Sequence, residues 1–115
     1  MDKKRILELA DLIEAQPHAR RDAESGFNMN EWAHDCGTPS CIWGWSESMR
    51  LKTNLIDIEA PTSHSLKYLG ITGDDGMKLF TPSSAGRYDD ITPAHAAAVL
   101  RFFAKTGDVN WGVKP

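Results

Sequence analysis

From Thr92 to Gly107 the chain spells out a complete α-helix, and this segment constrains the fold more than any other. Thr92 offers a side-chain oxygen to the unpaired N–H groups of a helix start, Pro93 suits the first helical position, and Gly107 accommodates the left-handed residue that ends many helices. Between them Ala96, Val99, Leu100 and Phe103 recur at three- and four-residue spacing, which places them on one face. The same punctuation recurs upstream. Asp2 caps a predicted helix whose Ile6, Leu9, Ala10 and Ile13 form an apolar stripe, widened by Leu7 and Leu12 and stopped by Pro17. Thr62 opens a short helix holding Leu66 and Leu69, with Gly70 as its terminator. Thr72-Gly-Asp-Asp75 has the form of a capping box with Asp75 in place of the usual Glu, and it starts a helix that runs to Leu79-Phe80 and is closed by Pro82. Alternation of β-branched residues is nearly absent. The expected fold is therefore all-α: a compact single domain, residues 1–115, of four to five helices with two long loops, His18–Gly26 and Thr81–Asp90. A content of 41% hydrophobic residues in 115 gives such a domain a core without help from a disulfide or a metal.

Candidate chemistry is concentrated between Trp32 and Trp45, which hold both cysteines, three of the four tryptophans and His34. Thr38 and Pro39 repeat the cap-plus-proline signal, predicting a helix from Pro39 to about Leu51 with Cys41 in its first turn. A thiol there lies beside unpaired N–H groups that favour its anion. On this helix Ile42, Trp45 and Met49 share one face, whereas Trp43 falls with Glu47 and Arg50 on nearly the opposite one and is predicted to be exposed. Gly44 inside the helix costs about 1 kcal/mol relative to Ala and implies close approach by another backbone or a ligand. Upstream, the loop from His18 delivers Phe27, Met29 and Trp32 to the core, with a short helix capped by Asn28. Downstream, Asn54 to Pro61 is a connection carrying Leu55, Ile56 and Ile58.

Several function classes are disfavoured by composition. A net charge of −3 argues against duplex nucleic acid as a partner, because such affinity comes from neutralising many phosphates. Basic clusters occur only at Lys3-Lys4-Arg5 and Arg20-Arg21. No window approaches a membrane-spanning length, and Glu8, Asp11 and Glu14 follow the basic start where a secretory signal would be apolar, so a cytoplasmic setting is expected. No glycine-rich phosphate loop of familiar pattern occurs.

Phe27-x-Met29-x-x-Trp32, Cys36-Gly-Thr-x-x-Cys41-Ile-x-Gly44-Trp45, Leu69-Gly-Ile-Thr72, Leu79-Phe80, Thr92-x-x-x-Ala96-Ala97 and Thr106-Gly-x-Val109-x-Trp111 together resemble the pattern of a family of short phage and bacterial proteins, mostly without assigned activity. The resemblance covers nearly all of the chain from Phe27 onward. It implies a phage-encoded protein that binds a host component, either a host protein, including defence machinery, or a nucleotide-like messenger. Where similar sequences carry a small residue this chain has Trp43, so a role for Trp43 is its own.

Three function classes follow. The leading one is a non-enzymatic binding protein that needs no cofactor, with Cys41, Trp43, Arg50, Arg87 and Tyr88 as ligand- or partner-binding residues and Ser83–Asp90 flanking the surface; it is compatible with a homodimer. The second is a cysteine-dependent enzyme using Cys41 with His95 as base. The third is a zinc-stabilised adaptor drawing on His34, Cys36 and Cys41 with His64 or His95. For each residue a plainer role competes: core packing for Trp32, Trp45 and Trp111, helix capping for Asp74-Asp75 and Asp89-Asp90, and burial as small hydrophobes for the cysteines.

Overall fold

The computed structural model describes every residue except 21, 22, 57, 59 and 61. Arg21 of the second basic cluster and Pro61 at the end of the predicted connection lie outside the described residues. The fold is all-α. Among the described residues its helices are α1 (Lys3–Glu14), α2 (Ile42–Leu51), α3 (His64–Leu69), α4 (Gly73–Phe80) and α5 (Pro93–Thr106), with a 3-10 turn at Tyr88–Asp90. Among the described residues there is no sheet, only isolated bridges pairing His18 with Phe27 and Ala33 with Pro39.

The caps form where the side-chain chemistry places them. Asp2 accepts from the Arg5 N–H, Thr72 from the Asp75 N–H and Thr92 from the His95 N–H, each at 3.1 Å. Gly70 and Gly107 end α3 and α5 with φ of 67° and 81°, the left-handed region open to a residue without a Cβ. The α3 start differs from expectation, with Ser63 rather than Thr62 at the cap position.

Helices α1 and α5 form the principal pair. Ile6, Leu9, Ala10 and Ile13 of the first and Ala96, Val99, Leu100 and Phe103 of the second are buried in the core. Full burial of each larger side chain is worth about 1.5–3 kcal/mol, so this seam dominates the stability of the fold. Leu7 and Leu12 do not widen the buried stripe. They remain 43% and 39% exposed because α5 covers only one side of α1. Arg5 crosses to α3, donating to the Tyr68 carbonyl at 2.9 Å with its guanidinium 4.0 Å from the Tyr68 ring centroid.

Between α1 and α2 the chain runs irregularly, and no helix follows Asn28. Instead Asn28 is buried and ties loops together: its amide donates to the Ala19 carbonyl and to Asp89, and its side-chain oxygen accepts the Asn30 N–H. Phe27 and Met29 reach the core as expected. No helix of the described residues is long and apolar enough to cross a membrane.

Candidate functional site

The segment around Cys41 folds differently from its local signal. Helix α2 begins at Ile42, not Pro39, because residues 32–40 fold back on themselves: the His34 N–H donates to the Thr38 carbonyl at 2.8 Å and the Ser40 N–H to the Trp32 carbonyl at 3.0 Å. Cys41 is consequently the cap residue. Its Sγ accepts the Gly44 N–H at 3.4 Å, and the side chain is buried. Burial pushes the Cys41 thiol up to about 11, against the hydrogen bonds that favour the anion. The helix start thus does not ready this thiol for attack; desolvation outweighs the dipole. Gly44 does meet another backbone: a Cβ there would overlap the Trp32 carbonyl.

Cys36 behaves oppositely. It is exposed, its thiol donates to the Glu24 carbonyl at 3.0 Å, and its Sγ is 3.1 Å from the Thr38 hydroxyl. Hydrogen bonding from Thr38 holds the Cys36 thiol below its ordinary value. Both cysteines are free thiols. His34 is buried, its Nε2–H donates to the Gly26 carbonyl at 2.8 Å, and its Nδ1 is 3.3 Å from the Glu31 carboxylate. His95 is engaged with Trp111, through a 2.9 Å bond to its carbonyl and an edge-on ring contact. Among the described residues no hydrogen bond joins Cys41 to a histidine, and no group of three His, Cys, Asp or Glu side chains is placed to hold a metal ion.

Trp43 is half-buried rather than exposed. Its indole stacks on Phe80, with centroids 5.4 Å apart and planes within 6°, and its Nε1–H donates to the Thr62 carbonyl at 3.0 Å. Its supposed neighbour on an open face, Glu47, is fully buried. Glu47 accepts from Arg50 through both oxygens, at 3.0 and 3.2 Å, and from the Thr62 N–H and hydroxyl at 3.2 and 3.1 Å. Burial alone would raise the Glu47 pKa, but Arg50 and Thr62 together hold it below the usual carboxylate range. Arg50 is therefore committed to Glu47 and does not present a free guanidinium to a ligand.

Trp43, Leu66, Met77 and Phe80 line a groove of about 640 Å³ where α2, α3 and α4 meet, rimmed by Ser63, Thr72, Gly73 and Thr81. Among the described lining residues Asp74 alone carries a charge. Of the five predicted binding residues, Trp43 alone belongs to this groove. Cys41 is buried, and the Tyr88 hydroxyl donates to the Pro82 carbonyl at 2.8 Å, steadying the loop. Arg87 is exposed on that loop. Leu66, Met77 and Phe80 are not readable as one site from the sequence, since their meeting depends on how α3 and α4 pack; Met77 at an outward helical position is the one local signal.

No family model, curated protein or solved structure matches this chain.

Proposed function

We propose that this chain is a small non-enzymatic binding protein, phage-related and cytoplasmic, whose recognition site is the Trp43–Phe80 groove and whose partner is a host protein. The observation that carries this reading is the groove itself: a concave, mainly apolar surface with aromatic walls and a few polar groups at its rim, the usual form of a recognition site. A counter-defence role would use such a site to occupy a host protein. The groove's chemistry favours a protein over a nucleotide-like ligand. A nucleotide-like ligand needs cations for its phosphates, whereas the only described charge here is the Asp74 carboxylate. An apolar side chain next to a basic residue of a protein partner gains from both the aromatic walls and Asp74. Nucleophilic catalysis by Cys41 gains no support, because its thiol is buried and hard to ionise.

The test is selection of a random peptide display library on the wild-type chain and on Ser63→Trp. Ser63 is exposed on the rim and makes no side-chain cap bond, so the larger residue plugs the groove without disturbing the core. Enrichment of peptides with an aromatic or aliphatic anchor beside Lys or Arg, lost on the variant, supports the reading. Enrichment insensitive to the plug, or none, overturns it. Shifts of the Trp43 indole N–H resonance on titration with AMP or GMP, without peptide enrichment, overturn the choice of a protein partner.

A further inference from the structure

The ring of His34 lies between two hydrogen-bond acceptors. Its side chain is fully buried, with Nε2 2.8 Å from the Gly26 carbonyl and Nδ1 3.3 Å from the Glu31 carboxylate. A neutral imidazole carries one N–H, so either tautomer satisfies one contact and sets lone pair against lone pair at the other. The facing atoms Nδ1 and Oε1 are both buried, and 3.3 Å leaves no room for a bridging water. The ring is also fixed by its own turn, in which the His34 N–H donates to the Thr38 carbonyl and the Gly37 N–H to the His34 carbonyl, each at 2.8 Å. Gly26 is held as firmly. The peptide unit that carries its carbonyl also donates the Phe27 N–H to the Pro17 carbonyl at 2.9 Å.

We propose that His34 is a buried imidazolium whose second proton bonds the Glu31 carboxylate, making a pH-sensitive tie between Gly26 and Glu31 that opens as pH rises. A proton placed between ring and carboxylate prefers the ring, because histidine is about two units more basic than glutamate. Both N–H groups then donate, and the carboxylate compensates the buried charge. Neighbouring titratable groups do not supply the donor instead. Cys41, whose ionisation the Glu31 charge opposes, is engaged with the Gly44 N–H, and the Cys36 thiol donates to the Glu24 carbonyl. The charged side chains of Glu24 and Asp35 are on exposed residues. Loss of the second proton leaves Nε2–H on the fixed Gly26 carbonyl and releases Glu31, whose side chain is 28% exposed and reaches water by a change of rotamer. In the unfolded chain histidine is neutral above pH ~6.5 while glutamate is ionised, so the folded chain holds one proton more. The tie's contribution to stability is therefore complete below that pH and is lost as pH rises through the value at which the folded pair gives up its proton.

Nuclear magnetic resonance of the full chain labelled with 15N-histidine reads the ring directly. Two N–H groups on the His34 ring are expected at pH ~7.5, where an imidazole in an unfolded chain is about nine-tenths neutral. The signal is assigned by its absence from His34→Gln. The Glu31 backbone amide signal is expected to move with the same midpoint as loss of the second N–H. Urea unfolding at pH ~6.5 and ~8.5 then compares the wild type with Glu31→Gln, whose amide N–H donates to Nδ1 of a neutral ring. The wild-type folding constant is expected to fall at least about tenfold more over this interval than that of the variant. Titrations common to both chains, that of Cys36 among them, cancel in the difference. A ring carrying one N–H at pH ~7.5 overturns the proposal, and so does an equal fall in the two chains. If Glu31→Gln does not fold, the wild-type ring spectrum alone decides.

Discussion

The carboxylate of Glu47 accepts both the backbone N–H and the hydroxyl of Thr62, binding the start of α3 to the middle of α2 across fifteen residues of sequence. One helical turn earlier, Trp43 donates to the carbonyl of the same threonine. Thr62 is thus held at three of its polar groups, and the aromatic wall of the groove is fixed in place by these contacts.

Removing the carboxylate should therefore loosen the groove as well as the fold. Glu47→Ala leaves Arg50 and two Thr62 donors without their acceptor, and a loss of about 3 kcal/mol is expected from breaking a buried pair on one side. Thr62→Val deletes one hydroxyl donor and should cost about 1 kcal/mol. Urea unfolding measures both. Equal, sub-kilocalorie effects would mean that Glu47 is solvated and not a clamp.

The same carboxylate makes stability depend on pH. Its pKa in the folded chain is held below the ordinary value by Arg50 and Thr62 against the opposing effect of burial. Its contribution is therefore complete above the unfolded-state pKa of about 4.3 and is lost as pH falls through the lower folded value. Urea midpoints of the wild type should drop below pH ~4 more steeply than those of Glu47→Gln. Parallel curves for the two chains would contradict the assignment.

Signals confined to a few neighbouring residues are legible in this sequence. The caps at Asp2, Thr72 and Thr92 and the terminators Gly70 and Gly107 form as their chemistry dictates, because each depends on backbone groups within four residues. The Thr38-Pro39 signal has the same form but yields to longer-range pairing, since Thr38 and Ser40 are already used by His34 and Trp32. Periodicity likewise separates the faces of α1 and α5 but misplaces Glu47, because a carboxylate on a helix flank reads as solvated unless its donors from another element are known. The groove is less legible still. Trp43 can be singled out, but Leu66 and Phe80 look like core residues until three helices are brought together.

The two thiols should differ sharply in reactivity. Cys36 is exposed and its pKa is lowered by Thr38, whereas Cys41 is buried with its thiol near 11. Iodoacetamide at neutral pH is expected to label Cys36 in the folded chain and Cys41 only after unfolding, as read by peptide mass spectrometry. Cys36→Ser should abolish native-state labelling, and Thr38→Val should slow it. Preferential modification of Cys41 would restore the nucleophile reading that its burial argues against.

Two glycines provide a paired test of what glycine does in these helices. At Gly44 a Cβ would overlap the Trp32 carbonyl, a backbone atom already accepting from Ser40, so the clash is not relieved by rotating a side chain. Gly44→Ala is expected to cost about 3 kcal/mol or to prevent folding, through strain in a close-packed region. At Gly73 the space is open, and Gly73→Ala should stabilise the isolated chain by up to about 1 kcal/mol through helix propensity and reduced unfolded-state entropy. Urea unfolding of each variant against the wild type measures both effects. A tolerated Gly44→Ala would show that α2 and the Trp32–Ser40 turn are not in direct backbone contact.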